Sequence, residues 1–117
     1  MAETELREWL LKADGLEGVP VVLEKPSPVP GRMVLLERTG TAMDRGDITH
    51  VMMAAQCYAP TLAEASALAE TVVSAMEAAA EIPSFCSIRC VDLYNFTNHI
   101  TKEHRYQAIF EVCRYGL

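Results

Sequence analysis

Residues 60–81, with the sequence PTLAEASALAETVVSAMEAAAE, decide the fold because they predict a long amphipathic helix. Thr61 and Glu64 have the spacing of a capping box, so we expect the helix to run over residues 62–80. Apolar side chains recur along it at helical spacing and form one arc. The arc consists of Ala65, Leu68, Ala69, Val72, Val73, Met76, Ala79 and Ala80. A helix with one such face needs an apolar partner layer.

The segments around this helix predict that layer, because they have the composition and alternation of strands. Strands are expected at residues 19–24, 32–38, 48–59, 86–96 (with a bulge near 90–92) and 105–115, and a short helix at residues 4–14. The order α-β-β-β-α-β-β predicts one α+β domain over residues 1–117, an antiparallel sheet with two helices packed on one face. The predicted core comprises Trp9, Leu10, Leu35, Val51, Leu68, Val72, Met76, Ile88, Tyr106, Phe110 and Val112.

The segment between the second and third strands, TGTAMDRGD at residues 39–47, predicts a loop at the tip of a hairpin. It is longer than a tight hairpin needs, and long loops in compact domains are usually functional or disordered. Its glycines lack the Gly-Lys-Ser/Thr of a P-loop, which disfavours phosphate binding. We therefore expect a contact with a partner or another subunit, with a mobile hairpin tip as the alternative. The candidate contact residues are Arg38, Thr39, Gly40, Thr41, Asp44, Arg45 and Asp47.

Composition excludes several classes of protein. The chain has 117 residues, half of them apolar, and 10 basic against 16 acidic side chains give a net charge of −6. This apolar content predicts a folded domain, and the acidic balance disfavours binding to a phosphate backbone. No apolar run is long enough for a membrane helix and no secretory signal is visible, so we expect an intracellular protein with reduced cysteines.

Cysteines and histidines form one pattern with the character of a metal site. Cys86 and Cys90 precede His99 and His104 at pair spacings that zinc sites tolerate. On a strand, however, thiols four residues apart are separated by roughly 13 Å, too far to hold one ion without a bend. No nucleophile elbow or acid–base pair is recognisable either. We therefore expect no metal, no cofactor and no enzymatic activity, and the alternative is a small enzyme that uses this Cys/His set.

The third predicted strand is apolar on both of its faces, whereas one layer of helices covers a single face of a sheet. Val51, Met53, Ala55 and Cys57 share one face, and Ile48, Met52 and Ala54 share the other. Apolar surface on the second face predicts self-association. The alternative is a strand that is buried centrally within the monomer.

Four short motifs resemble the tail-terminator proteins, also called tail-completion or head–tail joining proteins, of long-tailed bacteriophages and prophages. PGRMVLLERTG at residues 30–40 is a proline-led strand that closes in Arg-Thr-Gly. Residues 47–61 form a strand that closes in Tyr-Ala before Pro-Thr, and residues 63–69 open an alanine-rich helix. RYQA at residues 105–108 opens the last strand. In order of elements, the similarity covers about residues 6–112.

This resemblance implies a small, non-enzymatic α+β subunit of the virion tail, assembled in the bacterial host cytoplasm. Proteins of this family form a ring, typically six-fold, that caps the tail tube and presents a surface to the head connector. The implied partners are other copies of the same chain, a tail tube protein and a head connector protein, with no nucleic acid and no membrane. The alternative function is a small α+β ligand-binding or regulatory domain that dimerises through its sheet.

Overall fold

The computed structural model describes residues 2–43 and 48–115, which form a five-stranded sheet with two α-helices. The α-β-β-β-α-β-β order confirms the predicted α+β fold. None of the helices described is long and apolar enough to cross a bilayer. In chain order the elements are α1 (Ala2–Leu11), β1 (Val21–Val22), β2 (Met33–Met43), β3 (Ile48–Ala59), α2 (Leu62–Ala78), a 3₁₀ turn (Ala79–Glu81), β4 (Phe85–Asn95) and β5 (His104–Tyr115).

The strands lie side by side in the order β1-β2-β3-β5-β4. The four long strands pair antiparallel, as predicted. β1 differs, because its two residues run parallel to β2 with Val21 opposite Val34. Two parallel neighbours require the chain to return to the end where the first strand began, and residues 23–32, which include the proline-rich connector, make this return. Pro20 has no N–H for a ladder, but its carbonyl oxygen accepts a hydrogen bond from the Val34 N–H at 2.9 Å.

The main core lies between the helices and one face of the sheet. α2 packs across β3, β5 and β4, and α1 lies beside it. The predicted core residues that are buried here are Leu10, Val51, Leu68, Val72, Met76, Ile88, Phe110 and Val112. Trp9 and Tyr106 are only partly buried and pack against the margin of this core.

Leu35 does not join this core, contrary to the prediction. It is buried with Met33 and Tyr58 in a separate cluster, against which Val29 of the proline-rich connector packs. Alternation along β2 explains the difference, because Val34 points to the helices and its neighbour must therefore point away from them.

β2 is longer than predicted, because residues 39–43 belong to the strand and not to a loop. They pair antiparallel with β3, where Gly40 lies opposite Met52. A register shift between Arg38 and Gly40 leaves Thr39 in a bulge. β3 offers ladder partners along its whole length, and this non-local pairing outweighs the local turn preference of the glycine.

Both helices end earlier than predicted. α1 ends at Leu11, and the chain then turns through Gly15, whose φ of +87° lies in the region that favours glycine. The Glu17 carboxylate holds this turn by accepting a hydrogen bond from the Gly15 N–H at 3.0 Å. α2 ends at Ala78 and tightens into the 3₁₀ turn before Pro83, a residue that cannot continue a helix.

The N-terminus of α2 has the predicted cap. Thr61 has extended backbone angles, and its Oγ1 accepts a hydrogen bond from the Glu64 N–H at 3.2 Å. Alanine cannot replace this acceptor, so we expect Thr61→Ala to lower the free energy of unfolding by about 1 kcal/mol. Equilibrium urea denaturation measures the change. Thr61→Ser keeps the hydroxyl and should stay close to the wild type, and an equal loss in both variants would contradict the capping role.

Candidate interaction surfaces

One face of the sheet is not covered by either helix, and we call it the open face. Register and alternation assign residues to it, because paired residues on neighbouring strands point the same way. On β3 it carries Ile48, His50, Met52, Ala54, Gln56 and Tyr58, and on β5 it carries Arg105, Gln107, Ile109, Glu111, Cys113 and Tyr115. The proline-rich connector packs on it at the end near Tyr58. The second apolar face predicted for the third strand therefore lies here.

Side-chain hydrogen bonds order the Tyr58 end of the open face. Gln56 Nε2 donates to Glu37 Oε1 at 2.7 Å, and Gln56 Oε1 accepts from the Tyr58 hydroxyl at 3.0 Å. Arg105 Nη1 donates to that hydroxyl at 3.0 Å, and its guanidinium lies 4.3 Å from the centre of the Phe96 ring. These groups satisfy one another, so this end of the open face is a hydrogen-bonded network in which Gln56 and Tyr58 are buried.

The other end of the open face combines exposed apolar side chains with weakly paired charges. Ile48 and Tyr115 are 36% and 54% exposed. Beside them Glu111 lies 3.3 Å from Arg89 Nη2 and 3.6 Å from His50 Nδ1. The side chains of His50, Arg89 and Glu111 are all about a third exposed or more, so their pairing stabilises the fold little. Apolar side chains next to solvated charges are typical of a protein interface.

Arg38, one of the predicted contact residues, is held within its own chain. Its Nη2 donates to Glu3 Oε1 at 2.7 Å, which links β2 to α1. Burial alone would raise the pKa of the Glu3 carboxyl, but the hydrogen bond and charge of Arg38, together with a backbone hydrogen bond, lower the pKa below its ordinary value. This arginine therefore has a structural role in the monomer that its position in the sequence did not reveal.

The remaining predicted contact residues fall into two groups. Thr39, Gly40 and Thr41 lie on β2, where this strand runs beside β3. Asp44, Arg45 and Asp47 lie outside the described residues. The contact role of both groups stays a prediction.

β4 is an edge of the sheet and exposes apolar side chains. It pairs with β5 on one side, and the described residues place no strand on its other side. Val91 is 45% exposed and Leu93 38%. The predicted bulge is confirmed by a register shift between Cys90 and Asp92, where the Cys90 N–H donates to Glu77 Oε2 at 3.1 Å. The bulge interrupts the row of backbone groups along this edge, a device that limits non-specific strand pairing.

The structure spreads the predicted metal-like pattern over several elements. Cys86 and Cys90 lie on β4, His99 lies in the turn that follows, and His104 begins β5. No three potential ligand side chains cluster within residues 2–43 and 48–115.

Two thiols lie in surroundings that favour their protonated form. Burial raises the pKa of Cys57 to about 12. Burial also raises the pKa of Cys90, and the charges of Glu77 and Asp92 add to this increase. Because the thiolate is the reactive form of cysteine, neither residue is suited to nucleophilic catalysis near neutral pH.

A groove of about 710 Å³ lies between α1 and the C-terminal half of α2. Trp9 forms one wall, and its indole Nε1 donates to the Ala75 carbonyl oxygen at 2.8 Å. Ala75, Ala78 and Ile82 line the groove as well. Its charged lining residues with exposed side chains are Glu8, Lys12 and Asp14. The local sequence pattern predicts Trp9 in the core and does not reveal this groove, because two helices far apart in the chain create it.

Comparison with known proteins does not assign this chain to a family. No protein-family model matches it, and no curated protein is significantly similar to it.

Proposed function

We propose that this protein is a structural subunit that assembles with copies of itself into a closed ring, like the tail terminators that its motifs resemble. The observation that supports this proposal most directly is the apolar surface that stays exposed after the chain has formed its own core. Ile48 and Tyr115 are exposed on the open face, and Val91 and Leu93 are exposed on β4. In a small domain, exposed apolar surface of this kind is characteristic of an interaction site.

The proposed task of the ring is to cap the tail tube and to present a surface to the head connector. The α+β fold supports this role because it agrees with the small α+β subunit that the resemblance implies. The partners proposed are further copies of the chain, a tail tube protein and a head connector protein. The protein would then belong to the virion tail after assembly in the bacterial cytoplasm.

A non-enzymatic role without cofactors is part of the proposal. It is supported by the high pKa of Cys57 and by the polar groups around Gln56, which satisfy one another. The net charge of −6 supports binding to protein rather than to a phosphate backbone.

One observation favours a second candidate function, a ligand-binding or regulatory domain that dimerises through its sheet. The groove of about 710 Å³ between α1 and α2 lies within the range of small-molecule sites, which is about 300–1,000 Å³. In this alternative a two-fold dimer buries the open face, and the groove holds the ligand.

Mass measurement over a dilution series tests the proposed ring. We expect light scattering to show a transition from monomer to one large species. In a head-to-tail dimer each end still has a free binding surface, so subunits add until the ring closes. Negative-stain electron microscopy of the large species should show closed rings. A strict dimer at every concentration would favour the regulatory domain and contradict the ring.

A further inference from the structure

The turn between β4 and β5 presents the most exposed large apolar side chain of the described residues, Ile100, at 94% exposure. Asn98 Oδ1 fixes this turn by accepting hydrogen bonds from the N–H groups of Ile100 at 3.0 Å and Thr101 at 3.2 Å. The Asn98 N–H also donates to the Glu103 carbonyl oxygen at 3.1 Å. We call residues 98–103 the Ile100 tip. Because the tip is already ordered, docking it costs little conformational entropy.

The groove between α1 and α2 has walls that suit an apolar side chain. Trp9, Ala78 and Ile82 contribute apolar surface, and the Trp9 N–H is already bound to the Ala75 carbonyl oxygen. The lining also includes polar side chains, among them Glu8, Asp14 and Ser74. An isoleucine flanked by polar turn residues matches this mixed lining, because its side chain needs only contact area on the apolar part of the walls.

The tip and the groove of one chain cannot meet, because they lie beyond opposite ends of the same strand. Ile82 in the groove precedes the start of β4 at Phe85, and Asn98 in the tip follows its end at Asn95. Eleven residues of strand separate the two sites by roughly 35 Å at about 3.3 Å per residue. The occupant must therefore come from another molecule, and a second copy of this chain carries the matching tip.

The charges of the two surfaces are complementary. Lys102 is exposed at the tip, while the neighbouring Glu103 is neutralised by Lys25 at 2.9 Å. The groove carries two exposed carboxylates, Glu8 and Asp14, against the single cation Lys12. A cationic tip is thus steered towards an acidic rim, although the chain as a whole is acidic.

We infer that the Ile100 tip of one copy docks into the α1–α2 groove of the next copy. The two surfaces differ, so the contact is heterologous and leaves a free tip at one end and a free groove at the other. The contact specifies how neighbouring subunits of the proposed ring bind each other, and it rests on the proposed function for the closure of the row of subunits into a ring.

Two variants block the two halves of the contact separately. Ile100→Glu puts a charge at the tip, and Ala78→Glu puts a charge in the groove at an exposed helix position. Each variant alone should associate at least about tenfold more weakly than the wild type, since either substitution buries a carboxylate in the contact. An equimolar mixture should form dimers and nothing larger, because the tip of the Ala78→Glu chain still fits the groove of the Ile100→Glu chain. Light scattering measures all three samples, and circular dichroism verifies that each variant is folded.

Leu62→Glu is the matched control, since it places the same charge at an exposed apolar position in the first turn of α2, outside the groove lining and the Ile100 tip. It should associate as the wild type does, and an equal loss in Leu62→Glu and Ile100→Glu would overturn the contact. Val91→Glu tests the β4 edge, and a loss of association there with normal association of Ile100→Glu would overturn the contact in favour of that edge. A mixture that stays monomeric would overturn the head-to-tail arrangement. A third result would overturn the contact by assigning the groove to a ligand. In that case a small molecule co-purifies with the wild type and is absent from Ala78→Glu, while the mass of the assembly is the same in both.

Different results would contradict the proposed contact and the proposed ring. Rings that form with Ile100→Glu contradict the contact and leave the proposed function standing. Open chains of wild-type protein, together with dimers in the mixed sample, support the contact and contradict the ring. Wild-type protein that is monomeric at every concentration contradicts both.

Discussion

Phe110→Ala is expected to lower the free energy of unfolding by about 3–5 kcal/mol. Phe110 is fully buried on β5, where it lies opposite Met53 of β3 and Cys90 of β4 and faces α2. Its removal leaves a cavity that the neighbours cannot fill, because sheet and helix are held in place by their other contacts. A small domain has only about 5–15 kcal/mol of stability, so the loss is a large part of the total.

Ile109→Ala provides the control for this prediction. Ile109 is the preceding residue of the same strand, but it points to the open face and is only half-buried. Its truncation should cost clearly less, about 1 kcal/mol, in equilibrium urea denaturation at a concentration where the protein is monomeric. Equal losses in the two variants would contradict the location of the core on the helix side of the sheet.

The parts of the fold that follow from local periodicity were predictable from the sequence. The apolar arc of α2 extends over more than three helical turns, and the alternation of β5 extends over more than three pairs of residues. Patterns of this length identify the buried side of an element without knowledge of its neighbours. The buried positions of Leu68 on α2 and of Phe110 and Val112 on β5 agree with that expectation.

The parts that depend on distant partners were not predictable in the same way. Thr39 and Gly40 are residue types that are common in turns, yet they belong to β2 because this segment pairs with β3. Leu35 has the hydrophobicity of a core residue, but the side of the sheet on which it lies depends on the register of β2, which one strand alone does not define.

The candidate surfaces were the least predictable features. The groove arises where Trp9 and Ala78 meet from helices that are far apart in the chain. Ile100 could have been noticed as an apolar residue within a polar turn, but its exposure follows from the hydrogen bonds of Asn98. Residues 39–47 combine glycines with charges, and such composition does not distinguish a contact loop from the continuation of a strand, which is what residues 39–43 form.

The charge of Glu5 is expected to contribute to the stability of the fold. Its carboxylate accepts hydrogen bonds from the Ser84 hydroxyl and from Arg114 Nη2, and so ties α1 to the segment before β4 and to the end of β5. The hydrogen bond from Ser84, together with the hydrogen bond and charge of Arg114, lowers the pKa of Glu5 below its ordinary value of 4.5. Glu5→Gln keeps the shape of the side chain but removes the ion pair. We expect a loss of about 1–2 kcal/mol at pH 7, less than for a fully buried pair because water screens the partly exposed carboxylate.

The sign of the pH dependence follows from the direction of the pKa shift. Because the folded state lowers the pKa of Glu5, the unfolded chain takes up the proton first as the solution becomes acidic. The stabilisation is therefore complete above about pH 4.5 and is lost as the pH falls through the folded-state value, so wild type and Glu5→Gln should converge in acid. Glu8→Gln removes the same charge from the exposed side of α1 and should stay within about 0.5 kcal/mol of the wild type at pH 7. If the Glu5→Gln deficit were unchanged at pH 3, the loss would come from packing rather than from the ionised carboxylate.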